Sequence, residues 1–559
     1  MASNLGFALF LSMLCFLPSP SSSAETSSSL VSTSTVCSYT RFPSFCRTIL
    51  PNNNSASVYD YGRMSFQKSL LSAQKFLSLI DGLLRFSSSL TPGAVSALQD
   101  CKFLATLNVD YLGTSMETLS NNTNTLLPII QADDVQTLFS GILTNIETCL
   151  DGIEETASSW IEKNGVVAPL DDDAKLYSVS LALFTKGWVP DTKHGVPKRA
   201  RKHLPFRNGT LPFRMSTRHK DLFESLSRRK LLQSSDDGQV MVSDIVVVSQ
   251  DGQYNFTTIT DAVKAAPNNT NVENGYFLIY ITAGVYEEYV SIPKYKKYLM
   301  MIGDGINRTI VTGNHSVADG WTTFGSPSFA VVSQGFVAVD ITFQNTAGAS
   351  KGQAVAVRNG ADLSTFYSCS IEGYQDTLYV HSLRQFYREC DIYGTVDFIF
   401  GNAAVVFQNC NIYPTLPLIG QSDTITAQGR SDPNQNTGIS IHNCTIKPSN
   451  DLATANFTVQ TYLGRPWQLY SRTVYMQSFM DSFINPLGWS QWNGNFALDT
   501  LYYAEYNNTG PGSNTAGRVN WPGYHVINAT DAGNFTVSTF LLGDDWLPLI
   551  GVPYTGGLI

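Results

Sequence analysis

The chain has 559 residues, of which 43% are hydrophobic and 14% are charged, and its formal net charge at pH 7 is −9. This composition is that of a globular protein rather than a disordered or fibrous one. The length exceeds one ordinary domain, so we expect two or more units, although an elongated solenoid of stacked repeats can outgrow an ordinary domain by itself.

The N-terminus has the features of a secretory signal. Residues Leu5 to Pro18 are apolar, and the small residues Ser21 to Ala24 suit cleavage, although no Lys or Arg precedes the apolar run. The run is shorter than the roughly 20 residues that span a bilayer, which argues against a membrane anchor. We therefore predict a signal peptide over residues 1–24 and a secreted chain.

The cysteines and glycosylation sequons agree with secretion. Cys15 leaves with the signal peptide, so eight of the nine cysteines remain in an oxidising compartment, four before residue 150 and four after residue 368. This even split indicates two separately cross-linked domains. Asn-x-Ser/Thr sequons suit a glycosylated chain, and they include Asn208, Asn255, Asn443 and Asn534.

Residues 29–187 carry a helical pattern. Apolar residues recur at three- and four-residue intervals in four segments, which cover residues 65–86, 96–119, 133–153 and 172–184. Thr91-Pro92 and Asp133-Asp134 stand where helix starts are expected. Four such segments with short polar connections predict an all-α, up-and-down four-helix bundle. Its four cysteines permit three disulfide connectivities.

Residues 188–235 form a basic segment rich in Lys, Arg and Pro, and its composition predicts an extended linker without a core. Secretion argues against nucleic-acid binding, and no amphipathic pattern supports membrane binding. The run Arg228-Arg229-Lys230-Leu231-Leu232 therefore predicts a site for a processing protease.

Residues 236–559 carry a β pattern. Alternating apolar residues lead to Cys369, Cys390 and Cys410 at intervals of 21 and 20 residues, with polar turns and no helical segment between them. Short strands that recur at this interval predict a solenoid, and we interpret it as a parallel β-helix. A helix over about Ile259 to Ala266 is expected to cover its open end.

Cys390 and Cys410 occupy equivalent places on successive predicted coils. Stacked strands lie about 4.8 Å apart, within the Cα separation that a disulfide tolerates. We therefore predict a Cys390–Cys410 disulfide next to Asp397.

Two aspartates in apolar and aromatic surroundings are the candidate catalytic groups. Asp376 lies in YQDTLY and Asp397 lies in VDFIFG, 21 residues further on. One β-helix coil separates them, so their carboxyl groups are expected to lie within reach of each other. Buried carboxylates are costly unless they are paired or used, and two of them suit acid–base or nucleophilic chemistry.

Two other hydrolytic chemistries lack support in the sequence. The seven histidines are scattered without a zinc-ligand spacing, so we predict no metal site. A G-x-S-x-G motif stands at residues 348–352, but strand alternation follows it where a nucleophile elbow requires a helix. We interpret that motif as a turn.

Four motifs in order carry a family resemblance: QAVAVR from Gln353, YQDTLY from Tyr374, VDFIFG from Val396 and LGRPW from Leu463. Together they resemble the pectinesterases, the pectin methylesterases of plant cell walls, and the match runs from about Asp244 to the C-terminus. The resemblance implies a mainly β catalytic domain built as a right-handed parallel β-helix. It also implies that no cofactor is needed.

The cysteine pattern of the bundle resembles the pectinesterase-inhibitor domain. That resemblance favours the pairs Cys37–Cys46 and Cys101–Cys149 among the three connectivities. It also implies an autoinhibitory or chaperoning pro-region, with processing proteases and separate inhibitor proteins as further partners.

The pectinesterase resemblance assigns roles to matching residues. Asp397 would be the nucleophile, Asp376 the proton donor and general base, and Arg465 the group that keeps Asp397 ionised. Gln375 and Gln353 would stabilise the oxyanion with uncharged amide donors. The remaining substrate contacts that we expect are Thr323, Tyr379, Phe400, Trp467 and Trp489.

The expected reaction is hydrolysis of methyl esters of galacturonosyl units in pectin, in the cell wall, with release of methanol. Two alternatives stay open at this point. One is another pectin-active β-helix enzyme, a lyase or a glycosidase, and the other is a non-catalytic wall-binding protein that retains the groove.

Overall fold

The computed structural model describes residues 29–52, 56–86, 88, 90–121, 124–156, 166–190, 213–214, 216–227 and 240–559. The predicted signal peptide and the predicted cleavage site at Arg228 to Leu232 lie outside these residues. No helix within the described ranges is both long enough and apolar enough to cross a membrane.

The N-terminal domain is a helical bundle. Its helices are α1 (Thr33–Cys37), α2 (Pro43–Ile49), α3 (Val58–Leu84), α4 (Pro92–Ser120), α5 (Ile129–Thr156) and α6 (Val167–Trp188). Helix α3 packs against α4 and α6, and α5 packs against the same two helices, which closes a four-helix ring. The predicted four-helix bundle is confirmed.

Helix starts in the bundle follow local chemistry. Thr91 caps α4 by accepting a hydrogen bond from the Ala94 N–H, as predicted. The start predicted at Asp133-Asp134 is wrong, because α5 begins one turn earlier at Ile129. Both carboxylates therefore project from inside the helix instead of capping it.

Two disulfides cross-link the bundle. Cys37 is bonded to Cys46 and Cys101 to Cys149, which confirms both pairs. The second bond joins α4 to α5 across 48 residues of chain. In the chain-entropy account, a loop of that length stabilises the fold by about 4 kcal/mol.

Part of the predicted linker is folded against the second domain. Residues Phe213–Arg214 form strand β1, and Thr217–Ser227 form helix α7. The fully buried Phe223 ring packs edge-on against Tyr280, with ring centroids 5.8 Å apart. Phe223, with Leu222 and Leu226 packed around the same cluster, therefore anchors a segment whose basic composition predicted no core contacts.

The second domain consists of three parallel sheets, which contain twelve, eight and seven strands among the described residues. The first sheet contains β1, β2 (Val240–Val248), β3 (Tyr276–Ile281), β6 (Leu299–Gly303), β9 (Val337–Val339), β12 (Ser364–Tyr367), β15 (Arg384–Arg388), β18 (Ala404–Gln408), β21 (Gly438–His442), β24 (Arg472–Met476), β26 (Tyr502–Tyr506) and β27 (Tyr524–Val526). The second contains β4 (Gly284–Glu287), β7 (Thr309–Gly313), β10 (Thr342–Asn345), β13 (Ser370–Glu372), β16 (Asp391–Gly394), β19 (Asn411–Pro414), β22 (Thr445–Ile446) and β25 (Phe479–Met480). The third contains β5 (Val290–Ile292), β8 (Phe329–Val331), β11 (Val357–Asn359), β14 (Leu378–Val380), β17 (Ile399–Gly401), β20 (Asp423–Gln428) and β23 (Thr461–Pro466).

Successive coils stack in register, which confirms the predicted parallel β-helix. Ile371 pairs with Ile392, Ile392 with Ile412, and Ile412 with Ile446, and all four side chains are buried. Equivalent positions of each coil thus form continuous apolar columns along the inside of the solenoid.

Short helices close the domain. Helix α8 (Ile259–Ala265) packs on β2, β3 and β5 at the N-terminal end, as expected from the sequence. The C-terminal part adds α9 (Asn450–Ala453), α10 (Ala529–Gly533) and α11 (Val537–Phe540).

The predicted Cys390–Cys410 disulfide is wrong. Cys369, Cys390, Cys410 and Cys444 are all buried free thiols. The Cys390 Sγ lies 3.4 Å from the Phe366 carbonyl oxygen, a backbone group of the preceding coil. In-register side chains point inward in parallel, and the strand spacing of about 4.8 Å exceeds the usual Cβ separation in a disulfide, about 3.8 Å.

Candidate active site

Asp376 and Asp397 occupy equivalent places on neighbouring coils. Each stands two residues before a strand of the third sheet, and the paired residues Leu378 and Ile399 set the register. Both aspartates have left-handed backbones, with φ of 61° and 51°, and the Asp376 N–H donates to the Val396 carbonyl at 3.0 Å. The predicted proximity therefore follows from the coil repeat.

Arg465 on β23 holds the Asp397 carboxylate with two hydrogen bonds. Its Nε donates to Oδ1 at 2.8 Å and its Nη2 donates to Oδ2 at 2.6 Å. Burial raises the pKa of Asp397 above 3.8, while the hydrogen bond and charge of Arg465 act to lower it. Burial favours the protonated form of Asp397, and the guanidinium of Arg465 opposes this by stabilising the ionised form.

Asp376 has a different electrostatic environment. Burial, and then repulsion from Asp397 and from Glu155 of the bundle, raise the pKa of Asp376 well above 3.8, and Arg465 lowers it only in part. Among the residues that the structure describes, Asp397 forms an ion pair, with Arg465, and Asp376 forms none. The two carboxyl groups are therefore suited to different protonation states, as an acid and a nucleophile require.

Nine of the site residues predicted from the sequence line one cavity of about 390 Å³. They are Thr323, Gln353, Gln375, Asp376, Tyr379, Asp397, Phe400, Arg465 and Trp467. The cavity lies on the outer face of the third sheet, where residues from several coils meet.

The comparisons with known proteins match both halves of the chain. The family described as "Pectinesterase" matches residues 245–544, and the family described as "Plant invertase/pectin methylesterase inhibitor" matches residues 31–183. The chain belongs to the pectinesterase family. It is a pectinesterase with an inhibitor-like domain at its N-terminal side.

Several known proteins are similar to this chain over most of their own length. "Probable pectinesterase/pectinesterase inhibitor 41" of Arabidopsis thaliana is 61% identical over 94% of this chain and 95% of its own. "Pectinesterase 2" of Citrus sinensis is 47% identical over 83% and 82%. Among solved structures, "Pectin methylesterase from Carrot" is 52% identical with a TM-score of 0.55, and all of its chain matches 58% of this one.

Aromatic rings form one wall of the pectinesterase cavity. Tyr379 and Phe400 are paired across β14 and β17, and their rings stack with centroids 4.2 Å apart. The ring centroids of Trp467 and Phe400 lie 5.9 Å apart. A side chain at Gly429 would place its Cβ 2.8 Å from the Trp467 ring, so a residue without a Cβ is needed at that position. Such a wall suits stacking on sugar rings.

The sequence did not identify every residue of the pectinesterase cavity. The expectation for Trp489 is wrong, because this residue is 1% exposed and stacks on Tyr503 inside the solenoid, with ring centroids 4.1 Å apart. Trp492 lines the cavity instead and lies over the Arg465 guanidinium at 4.5 Å. Phe324 also lines it, and its place next to Thr323 was the only signal in the sequence.

Ser350 of the G-x-S-x-G motif does not line this cavity. Its neighbours form a one-turn 3₁₀ helix at Ala349–Lys351, and Ser350 is exposed. No strand–turn–helix elbow is present at the motif, which agrees with its interpretation as a turn.

Helix α5 of the inhibitor-like domain covers the pectinesterase cavity. Thr148, Asp151 and Glu155 line it together with the catalytic candidates. The Thr148 hydroxyl lies 3.0 Å from His381 Nε2 and 3.3 Å from the Tyr379 hydroxyl. The inhibitor-like resemblance implied an autoinhibitory pro-region as one possibility, but no pattern in the sequence singled out α5 or these three residues.

Proposed function

We propose that this pectinesterase hydrolyses the methyl esters of galacturonosyl units in pectin through the Asp397 and Asp376 carboxyl groups. The observation that supports this is the Arg465-bound Asp397 carboxylate beside a buried Asp376 in one cavity. These two environments favour an ionised nucleophile and a protonated acid.

In the first step an Asp397 oxygen attacks the C6 carbonyl carbon of the sugar ester. The carbonyl oxygen becomes an oxyanion, for which the Gln353 and Gln375 amides would be the donors. When this intermediate collapses, the C–OCH₃ bond breaks, and Asp376 gives its proton to the departing methanol oxygen. The products are methanol and an acyl group bonded to Asp397.

In the second step water hydrolyses the acyl group. Asp376, now ionised, takes a proton from the water as its oxygen attacks the acyl carbon. The bond to Asp397 breaks, which regenerates its carboxylate and leaves a galacturonic acid unit. Arg465 stabilises the carboxylate that leaves, and Tyr379, Phe400, Trp467 and Thr323 would hold the sugar rings.

A product assay on methylated pectin tests this reaction. We expect methanol release with neither a new carbon–carbon double bond nor a shorter polymer. A double bond would indicate a lyase, chain shortening would indicate a glycosidase, and binding without any product would indicate a wall-binding protein.

We further propose that the bundle inhibits the enzyme until it is removed. The supporting observation is that α5 places Thr148, Asp151 and Glu155 in the cavity that the substrate must enter. A tethered domain can reach an effective concentration of about 1 mM, so modest affinity is enough to close the site. Cleavage at Arg228 to Leu232 during secretion to the cell wall would abolish this advantage.

The uncut chain should therefore turn over more slowly per active site than the same protein after cleavage and separation of the bundle. Replacement of Arg228, Arg229 and Lys230 together should leave an uncut chain. Equal turnover before and after separation would contradict inhibition and would favour a role of the bundle in folding alone.

A further inference from the structure

We propose that the surface beneath α5 is an extended groove for de-esterified galacturonan, and that Arg384 at its far end binds a galacturonate carboxylate. This site lies outside the catalytic cavity and becomes accessible when the bundle leaves. The proposal rests on the proposed function for its ligand, but its test separates the two.

One face of α5 carries the functional groups of galacturonan. Carboxylates and hydroxyls follow one another at three- and four-residue intervals, which places them on a single side of the helix. They belong to Asp133, Thr137, Ser140, Thr144, Thr148, Asp151 and Glu155. Every unit of a de-esterified galacturonan likewise offers one carboxylate and free hydroxyls.

The β-helix holds this face with polar groups along its length. The Asn436 Nδ2 donates to the Thr137 hydroxyl at 3.0 Å, and the Asn402 Nδ2 donates to the Thr144 hydroxyl at 2.9 Å. At the other end, the Thr323 N–H and hydroxyl donate to Glu155 at 3.3 and 2.8 Å. The groove therefore already binds hydroxyls and a carboxylate.

Arg384 binds three carboxylates in this groove, those of Asp133, Asp134 and Asp362. Asp362 of the same domain accepts from its Nε at 3.0 Å and from its Nη2 at 2.7 Å, which fixes the guanidinium plane. The carboxylates of Asp133 and Asp134 bind the remaining edge, at 2.9 Å from Nη1 and 2.8 Å from Nη2. The side chain is 6% exposed. Removal of the bundle leaves a pre-oriented guanidinium with a free edge for a carboxylate.

Arg384 lies far from the catalytic cavity, measured along α5. Asp133, which binds Arg384, and Thr148, which lines the cavity, are 15 positions apart, which corresponds to about 22 Å of helix at 1.5 Å per residue. A short substrate in the catalytic cavity thus cannot reach Arg384, whereas a long galacturonan lying along the groove can. The subsite should act only on long chains.

Binding to the catalytic segment alone, residues 234–559, tests this separation. The whole chain of the carrot pectin methylesterase matches only 58% of this chain, so a unit of this size folds without a bundle. The probes are fully de-esterified galacturonan oligomers of three and of ten or more units, and titration calorimetry gives their dissociation constants.

Arg384→Gln should weaken binding of the long oligomer about ten-fold, since a charge-assisted hydrogen bond is lost, and leave the short oligomer unaffected. The matched control is Arg388→Gln on the same strand, whose Nη1 donates to Gln408 and which makes no bond to α5. Equal affinity of wild type and Arg384→Gln for the long oligomer would overturn the proposal, as would an equal loss for both oligomers.

Asn436→Ala gives a second measurement if Arg384→Gln does not fold. Within the described part of the chain, the side-chain hydrogen bonds of Asn436 go only to Asp133, Thr137 and Ser140 of the bundle, so its replacement by Ala should leave the isolated catalytic segment stable. We expect weaker binding of the long oligomer alone, and unchanged binding would contradict the groove. Methanol release from methylated trimers in the same variants reports on the proposed function independently.

Discussion

The carboxylate of Glu155, in the inhibitor-like domain, accepts hydrogen bonds from both the main-chain N–H and the hydroxyl of Thr323 in the catalytic cleft, at 3.3 and 2.8 Å. Thr323 is a residue that we expect to contact substrate. The docked bundle therefore occupies a pair of donors that we expect the substrate to use. A chain that lacks this contact should be less inhibited.

Glu155→Ala should raise the turnover of the uncut chain severalfold without changing that of the separated enzyme. The reason is that loss of hydrogen bonds to a charged group weakens docking by about 1.5–3 kcal/mol when the group is buried, and by less when it is partly exposed. Methanol release before and after separation measures both values. Asp171→Ala, which breaks an exposed pair with Lys175 on α6, is the control and should change neither.

Asp397→Asn should reduce methanol release at least about a thousand-fold, because an amide cannot act as the nucleophile. The fold should persist, since Asn retains the size of the side chain. Ser350→Ala is the control and should retain wild-type turnover. If the serine variant were inactive while Asp397→Asn stayed active, the carboxylate mechanism would be wrong.

The affinity of the bundle for the enzyme should fall as the pH rises. Burial, and then repulsion from Glu147, Glu154 and Glu155, raise the pKa of Asp151 from 3.8 to about 8. One of its buried carboxylate oxygens has no hydrogen-bond partner among the described residues. Asp151 thus holds a proton in the docked state that it releases in the free bundle. Docking is therefore strongest at pH values below the ordinary pKa of Asp151, 3.8, and it weakens as the pH rises to the pKa of the docked state, about 8.

Other groups at the interface determine where this effect is best measured. Burial raises the pKa of Asp100 to about 6 and lowers the pKa of His381 to about 3. In acid solution these two groups therefore change the docking affinity in opposite directions as the pH rises. Burial also raises the pKa values of Glu147 and Asp376, which act in the same direction as Asp151. Above the ordinary pKa of histidine, about 6.5, the pH dependence of docking is set by the acidic groups.

We therefore expect the dissociation constant of the separated bundle to rise by up to about ten-fold between pH 6.5 and pH 7.5, since one proton linked to binding gives ten-fold per pH unit. Asp151→Asn should flatten this dependence. Binding measured at the two pH values checks both statements, and an unchanged slope in the variant would assign the proton to another group.

Thiol titration checks the correction at Cys390 and Cys410. In the protein without residues 1–24, unfolded without reductant, four thiols should react, those of Cys369, Cys390, Cys410 and Cys444. Two reactive thiols would indicate that a disulfide joins two of them. After reduction, the four bundle cysteines should react as well, giving eight.

The sequence determined the fold classes and the pair of catalytic candidates, because these features depend on repeats along the chain. The two bundle disulfides were favoured only by the family resemblance, and the structure has both. A coil of 21 residues places Asp376 directly beside Asp397, and helical periodicity at three and four residues defines the faces of the bundle. The family motifs then named Arg465 and the aromatic residues around them.

Only the tertiary structure decided which surfaces meet and where side chains point. Arg384 binds Asp133 across 251 positions of sequence, and no local pattern relates the two. Trp489 and Trp492 are three residues apart, yet one is buried in the solenoid and the other lines the cavity. Cys390 and Cys410 stack without bonding because inward side chains run in parallel. The docking of α5 over the active site was likewise decided only by the tertiary structure, because it depends on the shape and charge of two surfaces that exist only in the folded protein.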